Sequence, residues 1–180
     1  MMLAILLVVL IVAAISATGA HRAVERARRS GRMADGRFLL AFSGLLAKMT
    51  MADGTVSADE VEMVEKMFAD MGLSQAEHAL CVGKFVLVQR EGGDAKALAR
   101  ELADSFNHVA CRFLYGLVLR VALADSRLAD EEERLLKEIG GELGLSEEER
   151  AEFRRGTVPA FDRKALEDAG VPSAVAKVVS

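Results

Sequence analysis

The sequence predicts an all-α chain: an N-terminal transmembrane helix followed by a duplicated, pseudo-two-fold helical bundle. Three observations carry this prediction. Met1–Ala20 contains no charged residue and is mostly Leu, Ile, Val and Ala. Beyond Arg32, apolar residues recur at spacings of three and four, the period of a helix with one buried face. And the segment Phe42–Ser74 aligns without a gap to Leu114–Ser146 further along the chain. Eight of the 33 aligned positions are identical, among them Gly44/Gly116, Asp53/Asp125, Glu60/Glu132 and Gly72/Gly144. A fixed internal offset is the signature of a repeated supersecondary unit.

Residues 1–20 form the anchor. Twenty helical residues rise about 30 Å, one bilayer hydrocarbon core. Residues 21–32 form a basic juxtamembrane segment, with Arg22, Arg26, Arg28, Arg29 and Arg32 against a single Glu25. Cations behind a first apolar helix hold that end in the cytoplasm. The expectation is a single-pass protein of the bacterial inner membrane, with its N-terminus outside and its domain in the cytoplasm. A cleaved signal peptide is the competing reading. The small residues Ser16–Ala20 favour it, and the lack of a basic segment before the apolar run opposes it.

The domain is acidic. The chain holds 23 Lys and Arg against 27 Asp and Glu, and residues 33–180 keep 18 against 26, a net charge of −8. That sign excludes nucleic acid as a partner. The predicted partners are the membrane and another protein. Cys81 and Cys111 stand in apolar helical context and suit burial as free thiols in a reducing compartment.

Residues 33–156 read as the helical domain. A first helix runs from about Asp35 to Ala52 on Phe38, Leu39, Phe42, Leu45, Leu46 and Met49, and Asp53-Gly54 breaks it. Ser57 with Glu60 three residues on is a capping box that opens the second helix. Val61, Val64, Met67, Phe68 and Met71 line its apolar face, and Gly72 ends it. Ser74 with Glu77 opens a third helix to about Gln89; its β-branched stretch Val82–Val88 has no hairpin turn and stays helical. After the break Glu91–Asp94, a short helix aligns Leu98, Leu102 and Phe106. The second repeat follows: a helix to Ala124, the turn Asp125-Ser126-Arg127, a helix from Asp130 to Leu143, then Gly144 and the capping box Ser146/Glu149. Gly44 and Gly116 sit mid-helix at equivalent places, where glycine costs about 1 kcal/mol relative to alanine. Their recurrence predicts a close approach of these two helices. Residues 157–180 form a weakly specified tail with one short helix near Asp162–Asp168.

Asp53–Glu60 matches the second half of an EF-hand loop. The first half fails, because Met49 and Met51 occupy positions that need oxygen ligands, as do Val121 and Leu123 in the second repeat. Two readings of Asp53, Glu60, Asp125 and Glu132 therefore stand. In one, the aspartates shape turns and the glutamates close helix N-termini, where the helix dipole favours them. In the other, a divalent cation sits where the two turns meet. No other cofactor is indicated. His21, His78 and His108 stand singly, without an acid or nucleophile motif, and there is no glycine-rich phosphate loop. An enzyme is the weakest of the functional readings.

The repeated stretches, MADGTVSADEVEMVEKMFADMGLS from Met51 and ALADSRLADEEERLLKEIGGELGLS from Ala122, resemble the TerB-like domain of tellurite-resistance proteins. The order of anchor, basic collar and domain looks like the amino-terminal part of DjlA-type membrane-anchored co-chaperones. The resemblance covers roughly Met1 to Arg155. It implies an all-helical fold and a non-catalytic binding or scaffold module, plausible in envelope or metal stress. It also implies divalent-metal binding at Asp53, Glu60, Asp125 and Glu132, a sensor alternative. The co-chaperones' C-terminal J-domain carries His-Pro-Asp. That tripeptide does not occur here, so co-chaperone activity does not carry over.

Overall fold

In a computed structural model, which describes residues 33–124, 128–156 and 161–176, every regular element is a helix. The chain forms α1 (Met33–Met49), α2 (Ala58–Asp70), α3 (Gln75–Glu91), α4 (Ala95–Ser105), α5 (His108–Ala122), α6 (Asp130–Glu142), α7 (Glu147–Arg154), α8 (Arg163–Asp168) and α9 (Ser173–Ala176). The predicted anchor (1–20) and basic collar (21–32) lie outside the described residues. Among the described residues, no helix is long and apolar enough to cross a membrane.

Local signals place the boundaries. Ser57, Ser74 and Ser146 each accept the backbone N–H of the glutamate three residues on, and that glutamate accepts the serine's own N–H. Each box satisfies two donors that a helix start leaves open. Asp94, Asn107 and Asp162 cap α4, α5 and α8 with side-chain oxygens. Gly72, Gly92 and Gly144 take positive φ just after helix ends, a conformation that a Cβ resists. The first helix stops at Met49, short of the expected Ala52. There the chain tightens into i→i+3 bonds, Ala52 N–H to Met49 O and Gly54 N–H to Met51 O, as last turns commonly do.

The core is one continuous cluster. α1 contributes Phe38, Phe42, Leu45, Leu46 and Met49, all fully buried. α5 is buried on nearly every side, with only Arg120 exposed after its first turn. Met49, Met67 and Met71 fill core space as expected, using methionine's adaptable shape. α1 packs on α3, α4 and α5; α2 packs on α5; α6 packs on α4, α5 and α1. The stretch expected as a weakly specified tail supplies Leu166, Val171 and Val175 to the same core. Phe161 stacks edge-on against Phe113 at 5.4 Å.

The mid-helix glycines mark close approaches, but not of α1 to α5. A Cβ on Gly44 would stand 2.9 Å from Leu98 Cδ1 of α4, and one on Gly116 would stand 2.8 Å from Phe153 Cε1 of α7. Each glycine admits a side chain from a different helix packed against its own. Sequence spacing shows that room is needed and not which neighbour needs it.

Candidate acidic turns and a charged cluster

The first turn uses its acids internally. Asp53 accepts the Thr55 N–H at 2.8 Å and the Thr55 hydroxyl at 2.9 Å. This is an Asx-type turn, in which a short carboxylate bonds the backbone two residues on. Those bonds, the Thr55 N–H foremost, hold the Asp53 carboxyl below its ordinary range. Gly54 follows at φ +84°. Glu60 accepts the Ser57 N–H at 2.9 Å and is only 6 % exposed.

The second turn repeats half of this. Glu132 accepts the Ala129 N–H at 2.7 Å and is 7 % exposed. Ala129 has no hydroxyl, so nothing returns the bond to the Glu132 N–H. The box that is complete at Ser57 is half-made here. Asp125 lies outside the described residues. Among the described residues, no group of three or more His, Cys, Asp or Glu side chains is placed to hold a metal ion. Asp53 and the two glutamates each spend carboxylate oxygens on turn or cap donors, and Glu60 and Glu132 make further interactions besides. Those three therefore do not by themselves form a shell of the six or more oxygens that calcium needs.

The two thiols behave as small apolar groups. Burial raises both Cys81 and Cys111 to about 11, and both are free.

A cluster missed in the sequence lies between α5 and α7. His108 does not stand alone: its Nε2 is 2.7 Å from Glu149 Oε1. Arg112 Nε stands 3.4 Å from the same carboxylate, and Arg112 Nη2 is 3.5 Å from Glu152. Burial raises the Glu149 carboxyl, but the Ser146 N–H, His108 and Arg112 outweigh it and hold the group below its usual range. Glu149 thus closes a helix start and ties two helices at once. The Ser146/Glu149 box was legible in the chain. Its distant partner His108 was not, because only packing brings the two together.

One aromatic also has an unusual polar end. Tyr115 is fully buried, its ring stands edge-on to Phe153 at 5.3 Å, and burial raises its hydroxyl above the ordinary range against the opposing pull of Arg154, which lies beside it, and Arg150.

The family model described as tellurite resistance protein TerB matches residues 39–155. No curated protein and no solved structure matches the chain.

Proposed function

Because the chain belongs to the tellurite resistance protein TerB family, we propose that it is a non-catalytic binding or scaffold module, carried on the inner membrane by residues 1–20 with its domain in the cytoplasm. The observation that carries this reading is how the acids are used. Asp53 shapes a turn, and Glu60 and Glu132 close helix starts. Groups committed to caps support a surface scaffold better than a reaction centre.

The duplication belongs to the same reading. α2 and α3 begin at Ala58 and Gln75, and α6 and α7 begin at the aligned positions of the second repeat, Asp130 and Glu147. Exchanging α1 with α5 and α2 with α6 turns the α2–α5 contact into the α6–α1 contact, and both occur. This supports two halves related by a pseudo-two-fold axis, each covering the other's apolar face.

The arrangement of anchor, basic collar and domain favours a role close to the membrane surface, with another protein as the partner. The test is purification of the detergent-solubilised full-length chain with its native neighbours, alongside a reporter fused to its C-terminus. A stoichiometric protein partner and a reporter active only in the cytoplasm are expected. A mature chain beginning near His21, or a reporter active outside, would overturn the anchored reading.

A second reading, a divalent-metal sensor, is favoured by one observation: two buried carboxylates, Glu60 and Glu132, at matching positions beside acidic turns. Melting of the full-length chain with chelator, then with magnesium, calcium, zinc or manganese, separates the two. A ligand that binds only the folded state raises its stability. A large shift with one metal, lost in both Asp53→Ala and Asp125→Ala, would establish the sensor; no metal dependence supports the scaffold.

A further inference from the structure

The family match ends at residue 155, and the core does not. Leu166, Val171, Val175 and Ala176 are buried in the same cluster as α1 and α5. The segment 161–176 lies on an aromatic face of the domain. The Phe161 ring stands edge-on to Phe113 of α5 at 5.4 Å and stacks with Phe153 of α7 at 6.5 Å. Gly170, at φ +85°, turns the chain so close to Phe106 that a Cβ there would stand 3.6 Å from its Cδ1. Val109, one turn before Phe113 on the same side of α5, stays 42 % exposed.

The segment is seated the way a ligand is. Among the described residues, every hydrogen bond and ion pair of residues 161–176 stays within the segment. Asp162 accepts the Lys164 and Ala165 N–H groups, and Arg163 pairs with Glu167 at 3.1 Å. The Val171 N–H donates to the Leu166 carbonyl, and the Val175 and Ala176 N–H groups donate to Pro172. The helices before it are instead tied across to one another, by Arg37–Glu101, Arg100–Glu142, His108–Glu149 and Arg154–Glu133. The segment therefore holds to the domain by apolar contact, which is non-directional, and leaving breaks no polar bond with it. Helices of six and four residues do not persist alone in water, so release takes the whole segment at once.

We propose that residues 161–176 form a strap, a ligand supplied by the chain itself, which seats on Phe106, Phe113 and Phe153 and opens as one unit while α1 to α7 stay folded. Local openings of this kind are common where a segment is held by few contacts. Closed, the strap keeps the aromatic face from other apolar segments. Open, it exposes three rings beside Val109, a surface fitted to a short segment with aliphatic side chains spaced like Leu166, Val171 and Val175. A competing segment binds only the open fraction, so its apparent affinity falls by that fraction. The strap requires neither the anchor nor the acidic turns, so its failure leaves the scaffold and metal readings standing.

Native hydrogen exchange of the full-length chain is the first measurement. The amides of Leu166, Ala169, Val171 and Val175, all bonded within the strap, should exchange together and at least about tenfold faster than the buried amides of α5. The second uses full-length Leu166→Asp, in which a carboxylate on a buried apolar site holds the strap open. Helices α1 to α7 should keep their wild-type protection in this variant. A labelled peptide of residues 161–176 should bind it saturably, and at least about tenfold more tightly than it binds wild type, where the tethered copy competes at an effective concentration of about 1 mM. The same peptide carrying Leu166→Asp should not bind. Strap amides that exchange only together with α5, in global unfolding, would make the segment an integral part of the core and overturn the proposal, whether or not Leu166→Asp folds. A peptide that binds neither chain, or both alike, would also overturn it. A wild-type dimer that grows with concentration and is lost in Leu166→Asp would seat the segment on a second copy and overturn the intrachain strap.

Discussion

Two mid-helix glycines should respond to alanine with opposite signs. Gly83 lies on the exposed side of α3, and a Cβ there meets nothing within 4 Å. Gly83→Ala therefore collects the full helix-propensity gain, about 1 kcal/mol, by restricting the unfolded chain. Gly116 gains the same intrinsic term but faces the Phe153 ring at 2.8 Å. That ring is not free to swing. It is buried, packed edge-on to Tyr115 at 5.3 Å and stacked with Phe161 at 6.5 Å. Forcing a methyl into such a site costs about 1–3 kcal/mol. The net effect of Gly116→Ala is a loss of up to about 2 kcal/mol. Gly44 falls between them, since its closest neighbour, Leu98 Cδ1 at 2.9 Å, ends a partly buried and flexible side chain. For a chain of this size each kcal/mol moves the melting temperature by about 2–4 °C. Thermal and urea denaturation of the three variants near neutral pH reads the order directly: Gly83→Ala above wild type, Gly44→Ala close to it, Gly116→Ala below. A Gly116→Ala protein as stable as Gly83→Ala would show that α7 does not press on α5 as described.

Ala129→Ser should complete the half-made box at α6 and raise stability by about 0.5–1 kcal/mol, while Ser57→Ala should lower it by a similar amount; urea midpoints check both. Glu149 is depressed in the folded state, so its contribution is fully present above the unfolded carboxyl value of about 4.3 and is lost as pH falls through the lower folded value. Melting followed from neutral pH into acid should therefore show a shallower acid loss in Glu149→Gln than in wild type, and identical slopes would refute the assignment. Cys81 and Cys111, buried and raised to about 11, should resist alkylation in the native state and react together on unfolding; fast labelling of either in native buffer would contradict their burial.

The chain showed some levels of this organisation well and others not at all. Capping boxes at Ser57, Ser74 and Ser146 are local chemistry, three residues across, and the helices begin where they stand. The internal repeat carried the starts of α2 and α6 to matching positions. What was illegible depends on side chains far apart in sequence. His108 with Glu149, Arg100 with Glu142 and Arg37 with Glu101 form only when helices pack. The same holds for Gly116, whose need for space was visible but whose neighbour Phe153 was not. The tail misled for a further reason. Two prolines and short apolar runs look like a loose end, yet Leu166 and Val175 find buried places in the common core.

The near-complete burial of α5 has a consequence for how the molecule is made. A ribosome releases α1 to α4 first, then α5 with almost no face for water. Until α6 and α7 emerge, that helix has only part of its covering, and exposed apolar surface of this kind invites aggregation. The repeats look like two modules in the sequence, but packing crosses between them: α2 rests on α5, and α6 rests on α4 and α1 as well as on α5. Cut at Gly92-Gly93, the chain should give two pieces that are sticky apart and assemble when mixed. The helices of both stretches thus build one folding unit, in which α5 is covered from both sides of the chain.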